Sequence, residues 1–219
     1  MKKIAPILGI ILFMAILVLS LLKIRGGKGD ETKKPQTSEQ LNRRALQLAR
    51  KGELDSAIVV WKELVEIYPD YPEGYNNLGA ALNNVQEPEQ ALGYLRRAIE
   101  IRPKNASSYF NLARSFFQLK EYDSALVYLD EGMHYDSLDV EAWLLKGDCL
   151  DRKGDYQASE KCYRKADTLA PDNFKAKYSL GISLTSQGEY QQAVKFLREG
   201  VKLKPENAAC WNNLGVALS

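Results

Sequence analysis

The chain is poor in the residues that carry most enzyme chemistry. A single histidine, His134, stands among 219 residues, so a histidine metal cluster is excluded, and no nucleophile motif accompanies it. Cysteine is scarce and odd in number: Cys149, Cys162 and Cys210. Their spacings fit no zinc pattern, and small buried hydrophobes explain them better than a redox or metal role. A Gly-rich phosphate loop is missing as well. Charge of one sign is also lacking, with 30 Lys and Arg against 28 Asp and Glu. A chain this close to neutral does not have the basic excess of a nucleic-acid binder. No catalytic residue, metal, cofactor or nucleic-acid partner is therefore expected, and the chain reads as a non-enzyme.

What is present begins with a charge-free run, residues 4–22, IAPILGIILFMAILVLSLL. As a helix it would rise about 28 Å, close to the ~30 Å hydrocarbon core of a bilayer. A cleaved signal peptide has a shorter apolar region and a small-x-small cleavage site, which is not well placed here. A buried core helix would carry a polar face. The run is thus expected to be one uncleaved transmembrane signal-anchor helix, followed by a Gly-, Lys- and Thr-rich juxtamembrane linker, residues 23–37. That implies a single-pass protein of a bacterial cytoplasmic membrane. Lys2 and Lys3 flank one end of the run, and Lys23, Arg25 and Lys28 the other. The Lys/Arg rule leans towards a cytoplasmic body and the short basic start towards an exported one, so the side stays open.

The remainder repeats. YNNLGAAL begins at Tyr75 and WNNLGVAL at Trp211, four steps of 34 residues apart. Stepping by 34 from Ala45 gives Gly79, Ala113, Gly147, Gly181 and Gly215. From Ala57 the same step gives Ala91, Ala125, Ser159 and Ala193, and from Pro69 it gives Pro103, Ser137, Pro171 and Pro205. Three columns agree on one register, with units 38–71, 72–105, 106–139, 140–173 and 174–207 and a partial sixth, 208–219.

Within a unit, apolar or small residues at positions 4, 7, 8 and 11 describe one face of a first helix, as in Tyr75, Leu78, Gly79 and Leu82. A turn follows at positions 15–16, marked by Gly52, Gly154 and Gly188. A second stripe at positions 20, 24 and 27 describes a second helix, and the proline at position 32 closes the unit. Small residues at positions 8 and 20 lie where two antiparallel helices would cross, so a larger residue at Gly147 or Gly181 should overpack.

This pattern resembles the tetratricopeptide repeat, with W-x₂-L-G-x₂-Y, then A-x₃-F, then P. YNNLGAAL and WNNLGVAL are close to its first-helix motif, and YQQAVKFLREGVKLKP to its second helix and closing proline. Local departures are Arg44, Lys146, Ser137, Ser159 and Pro88. The resemblance implies an all-α fold, a right-handed α-solenoid of helix–turn–helix units here preceded by the transmembrane helix, with the first helices lining a concave side.

Positions left over from packing then become candidate partner-binding residues. Unit two offers Asn76 and Asn77. Unit three offers Phe110, Asn111, Arg114 and Phe117. Unit four offers Leu144, Leu145, Asp148 and Asp151, unit five Tyr178 and Ile182, and unit six Asn213. Asn77, Asn111 and Asn213 share position 6. Such a row resembles part of the asparagine ladder in the enzyme that attaches N-acetylglucosamine to Ser and Thr, which would grip a peptide backbone. Solvated polar positions explain it equally well. Phe110, Phe117, Leu144, Leu145, Tyr178 and Ile182 would form an apolar patch, and such patches mark interaction sites. Arg114 and Asp148 would orient a partner.

The function expected is that of a membrane-anchored scaffold or adaptor holding a protein or peptide in its groove. The alternative is the anchor-plus-repeat portion of a longer enzyme or sensor, for example of glycosyltransferase type. The segment AACWNNLGVALS has no charge and is a first helix without a second. Its half-covered apolar side is expected either to mark a longer array or to dock another subunit.

Overall fold

Two alternating helix lengths build the chain. In a computed structural model, which describes residues 36–219, the first helices of the units are α1 (Ser38–Arg50), α3 (Pro72–Asn84), α5 (Ala106–Gln118), α7 (Val140–Arg152) and α9 (Phe174–Ser186). The second helices are α2 (Leu54–Ile67), α4 (Pro88–Ile101), α6 (Tyr122–Tyr135), α8 (Tyr156–Leu169) and α10 (Tyr190–Leu203). A last first-type helix, α11 (Ala208–Leu218), follows. Among the described residues no strand occurs.

Local chemistry sets these boundaries. The last residue of a unit caps the next first helix. Asn105, Asp139, Asn173 and Asn207 each accept a backbone N–H with their side chains, which satisfies a donor that the helix start leaves orphaned. Pro72 and Pro88 stand in the first turns of α3 and α4, where no N–H is needed. Each first helix stops in a left-handed residue at position 15. Three are glycines, with φ of 83° at Gly52, 80° at Gly154 and 79° at Gly188; the other two are Gln86 at 62° and Lys120 at 63°. The next N–H then bonds back to the last turn of the helix, Glu87 to the Leu82 carbonyl at 2.9 Å and Glu121 to Phe116 at 2.9 Å. All five turns share this Schellman closure.

Two helices of a unit meet through the small columns. A Cβ on Gly79 would stand 2.4 Å from Leu95 Cγ, one on Gly147 2.4 Å from Tyr163 Cε1, and one on Gly181 2.5 Å from Leu197 Cγ. Ala57, Ala91, Ala125, Ser159 and Ala193 across the crossing are all fully buried. Between units, aromatic donors tie the linking turn. Tyr109 donates to the Pro103 carbonyl at 3.0 Å, Trp143 to Ser137 at 2.9 Å and Trp211 to Pro205 at 2.9 Å. Ser137 thus does through its carbonyl what the prolines do elsewhere.

The first helices of neighbouring units touch each other directly, and the second helices do not. The first helices therefore form the inner layer of the solenoid and the second helices its outer, splayed layer, which leaves the inner face concave.

Two expectations need correction. Among the described residues no helix is long and apolar enough to cross a membrane. The expected single-pass placement is corrected accordingly, and the run it rested on, residues 4–22, lies outside the described residues. Leu144, expected on the concave face, is 0% exposed and belongs to the core with Tyr163, Leu180 and Leu184. It faces the next unit, while Leu145, expected beside it, is itself largely buried and reaches the groove only with its edge.

Candidate binding groove

Three clefts on the inner face share walls and form one groove. The first, about 250 Å³, is lined by Asn76, Asn77, Phe110, Asn111, Arg114 and Leu145 among others. The second, about 390 Å³, shares Arg114, Glu141 and Leu145 with it and adds Phe117, Gln118, Asp148 and Lys175. The third, about 370 Å³, shares Phe117 and Asp148 and ends on Asp151, Tyr163, Ser179 and Ile182. The groove thus runs over α3, α5, α7 and α9. It brings together Asn76, Asn77, Phe110, Asn111, Arg114, Phe117, Asp148 and Ile182. It does not include Leu144, Tyr178 or Asn213.

The asparagines are less free than an isolated row would be. Asn77 Nδ2 donates to Asn42 Oδ1 of the preceding unit at 2.9 Å, and Asn111 Nδ2 donates to Asn76 Oδ1 at 3.0 Å. Asn213 Nδ2 donates to the Tyr178 hydroxyl at 3.1 Å. Position 6 of one unit therefore reaches position 5 of the one before, and the ladder stitches units together. Asn42 also accepts from Trp61 Nε1 at 2.9 Å, and Asn76 also accepts from Ser108 Oγ at 3.2 Å. Asn83 is buried and stitches likewise, donating to the Asn111 carbonyl and accepting from Ser115 Oγ at 2.8 Å. Part of each carboxamide's bonding capacity is thus already used.

The aromatic residues are shared between groove and core. Phe110 lines the groove with part of its ring and closes on the Gly132 backbone with the rest, where a Cβ would meet its Cε1 at 2.4 Å. Tyr178 stacks on Phe174 at 5.5 Å. Phe117 packs at a tilt on Tyr122, 5.7 Å away, and lines two of the three clefts.

Unit four supplies the polar end of the groove. Tyr163 stands on the outer helix α8, in a column otherwise held by Trp61, Leu95, Leu129 and Leu197. Because Gly147 has no side chain, the ring passes the crossing and its hydroxyl reaches the groove. There it lies 3.0 Å from Asp148 Oδ1 and 3.2 Å from Asp151 Oδ2. Burial, and then the two carboxylates, raise the Tyr163 pKa, so the hydroxyl keeps its proton and donates. Lys175 Nζ neutralises Asp148 through Oδ2 at 2.9 Å. Asp151 takes a hydrogen bond from Ser159 Oγ, which explains why serine stands in the alanine column. Burial raises the Asp151 pKa, and the bonds from Ser159 and Tyr163 oppose that shift. Arg114 is exposed and makes no ion pair among the described residues.

The sequence placed Asp151 on the concave face but gave it no role beyond an ordinary solvated residue, and it did not single out Tyr163. Their signal was a pair of departures in one unit, tyrosine where leucine is usual and serine where alanine is usual.

Three sequence models described as tetratricopeptide repeat or TPR repeat match the chain. One spans residues 110–174, one 45–85 and 181–219, and one 72–105. Together they cover well over half of it. No curated protein matches. Among solved structures, MamA is similar with 21% identity over 75% of this chain and 96% of that chain, at a TM-score of 0.66. TTC0263, a thermophilic TPR protein in Thermus thermophilus, has 17% identity over 83% and 99%, at 0.68. YrrB, a TPR protein with an unusual peptide-binding site, has 18% identity over 80% and 91%, at 0.64. At these identities the likeness is one of fold. None of these matches supports the reading of the chain as part of a longer enzyme or sensor.

Proposed function

The chain belongs to the tetratricopeptide repeat family, and on that premise we propose that it is a non-catalytic scaffold whose concave groove holds a protein or peptide partner in extended form. The observation that carries this reading is the continuity of the groove. Three clefts joined by Arg114, Leu145, Phe117 and Asp148 offer a path across four units. Amide, aromatic and charged side chains alternate along it, as a peptide backbone with side chains requires. A solved relative by fold, YrrB, is described as having a peptide-binding site. Because the asparagines are already stitched to one another, the affinity is proposed to come from the half-buried Phe117 and Ile182, the edge of the buried Leu145 and the exposed Arg114 rather than from an amide ladder alone.

Helix α11 offers a second contact. Trp211 and Leu218 are 52% and 58% exposed, and a Cβ on Gly215 would meet nothing within 4 Å. This face is proposed to dock another subunit.

The test of the groove is a selection of randomised nonapeptides against the full chain, followed by binding to a filled-groove variant. Ala80→Trp with Ser179→Trp adds bulk to the first and third clefts, at residues that are half-buried in the groove wall. Selected peptides are expected to bind the variant at least about tenfold more weakly, a loss of about 1.4 kcal/mol. Equal binding to a folded variant would place the peptide elsewhere.

A further inference from the structure

The third cleft has a composition that a generic peptide groove does not require. Phe117 and Ile182 form apolar walls, and Tyr163 and Asp151 present oxygens at the floor. Arg152 at its rim, and Arg114 and Glu141 in the adjoining clefts, are exposed, so water screens them cheaply. Asp151 is different. It is half-buried, and its two hydrogen bonds come from neutral hydroxyls, Ser159 Oγ and Tyr163 OH. Among the described residues it has no ion pair, because Lys175 is held by Asp148. A partly desolvated carboxylate without an ion pair is a standing cost, and the pKa of Asp151 stays raised by burial although the charge of the exposed Arg152 opposes the shift.

A second acceptor lies in the wall of the adjoining cleft. Gln118 donates its Nε2 to the Asn83 carbonyl at 2.9 Å, which leaves its Oε1 enclosed and without a partner among the described residues. Unit two shows the neutral solution to the same packing problem. There the residue at the same position of the unit is Asn83, satisfied by Ser115 and by the Asn111 carbonyl. The charge at Asp151 is therefore not a requirement of the fold.

From this charge complementarity we propose that the cleft between Phe117 and Ile182 seats a basic side chain, arginine or lysine, of the peptide held in the groove. Asp151 is its counter-ion, and the two apolar walls cover its aliphatic stem. The inference rests on the groove reading above. A long basic side chain suits such a slot because its methylene stem packs on apolar surface while its head stays polar. The Phe117 ring adds attraction for a cation near its face. Tyr163 keeps its proton and bridges Asp148 and Asp151 on the floor beneath the incoming cation, so the site is assembled before binding.

The test uses the full chain and fluorescence polarisation with capped nonapeptides of Gly, Ser and Leu. Each carries one arginine, scanned through all positions, and each has a twin with citrulline, the neutral isostere. The best arginine peptide is expected to bind about tenfold or more tightly than its twin, the worth of a hydrogen bond to a charged group. In Asp151→Asn that ratio is expected to fall below about threefold while the citrulline twin binds as before. Asparagine at Asn83 shows that the residue fits this position, and an unchanged helical spectrum confirms folding. Twins that bind alike, yet are weakened by Ser179→Trp, would overturn the basic-pocket inference and leave the groove standing. An arginine preference that survives Asp151→Asn would also overturn it. Binding by no peptide, or binding indifferent to Ser179→Trp, would remove the groove reading itself.

Discussion

Replacing Gly181 by alanine isolates the crossing that sets the spacing of each unit. The new Cβ would stand 2.5 Å from Leu197 Cγ and 2.8 Å from its Cδ2. Cγ is a branch point of a fully buried side chain, so relief requires helix movement rather than a rotamer change. Overpacking of this kind costs about 1–3 kcal/mol. Alanine also regains the helix propensity that glycine lacks, about 1 kcal/mol. The net loss is therefore up to about 2 kcal/mol. Its lower part is the more relevant, because Ala113 sits opposite Leu129 in the same columns of unit three and shows that the crossing can open. Gly215→Ala is the control. It stands in the same column, but nothing lies within 4 Å of its Cβ position, so only the propensity gain of about 1 kcal/mol remains. The two variants should differ by about 1–3 kcal/mol, or roughly 2–12 °C in thermal melts followed by far-ultraviolet circular dichroism. Equal shifts would refute the idea that the glycine column exists for helix approach.

Other substitutions test the turns, the polar end of the groove and the thiols. Gln86→Gly and Lys120→Gly relieve a left-handed non-glycine residue and should each stabilise by about 1 kcal/mol, while Gly154→Ala should destabilise by a similar amount, all read from urea melts. Asp151 has its folded pKa raised above the ordinary aspartate value by burial. The folded state thus holds that proton more tightly, and stability gained from it grows as pH falls through the folded pKa towards the unfolded one. Asp151→Asn should raise the melting temperature at neutral pH and lose this acid-side gain relative to the natural chain, and parallel pH profiles would contradict the assignment. Burial pushes the thiol of Cys149 up to about 12 and that of Cys162 up to about 11. At pH 8 neither should react with an aromatic disulfide until denaturant is added, and fast labelling of the native chain would show that unit four opens.

The fold was legible because the repeat writes its geometry in columns. Ala45, Gly79, Ala113 and their counterparts announce one crossing many times, and five units in register leave little freedom. Left-handed turns at Gln86 and Lys120 were hidden, since neither residue type advertises that conformation; only their spacing from Gly52 and Gly154 does. The candidate site was legible in part. Positions 5, 6 and 9 of the first helices do line the groove in units two and three. Leu144 misled because adjacent residues on a helix point about 100° apart, so of the two leucines expected on the concave face only Leu145 lines the groove, and that with a largely buried side chain. Asn77 and Asn111 misled in another way. Their face was read correctly, but a pairwise bond between neighbouring units is invisible to a reading that treats each unit alone. Tyr163 was missed because its Cα lies on the outer layer, and only the gap at Gly147 lets the side chain through. The anchor expected at residues 4–22 rested on the length and all-round apolarity of the run and on the lack of a cleavage site, and no helix among the described residues is long and apolar enough to cross a membrane.

The most direct test of the groove is site-specific photo-crosslinking with one selected nonapeptide, comparing a benzophenone side chain placed at the exposed groove-rim residue Glu141 with one at Val127. Val127 is 60% exposed on an outer helix, α6. A partner held on the inner face predicts an adduct at Glu141 that unlabelled peptide competes away, with none at Val127. Adducts of equal yield at both positions, or at Val127 alone, would contradict binding in the concave groove.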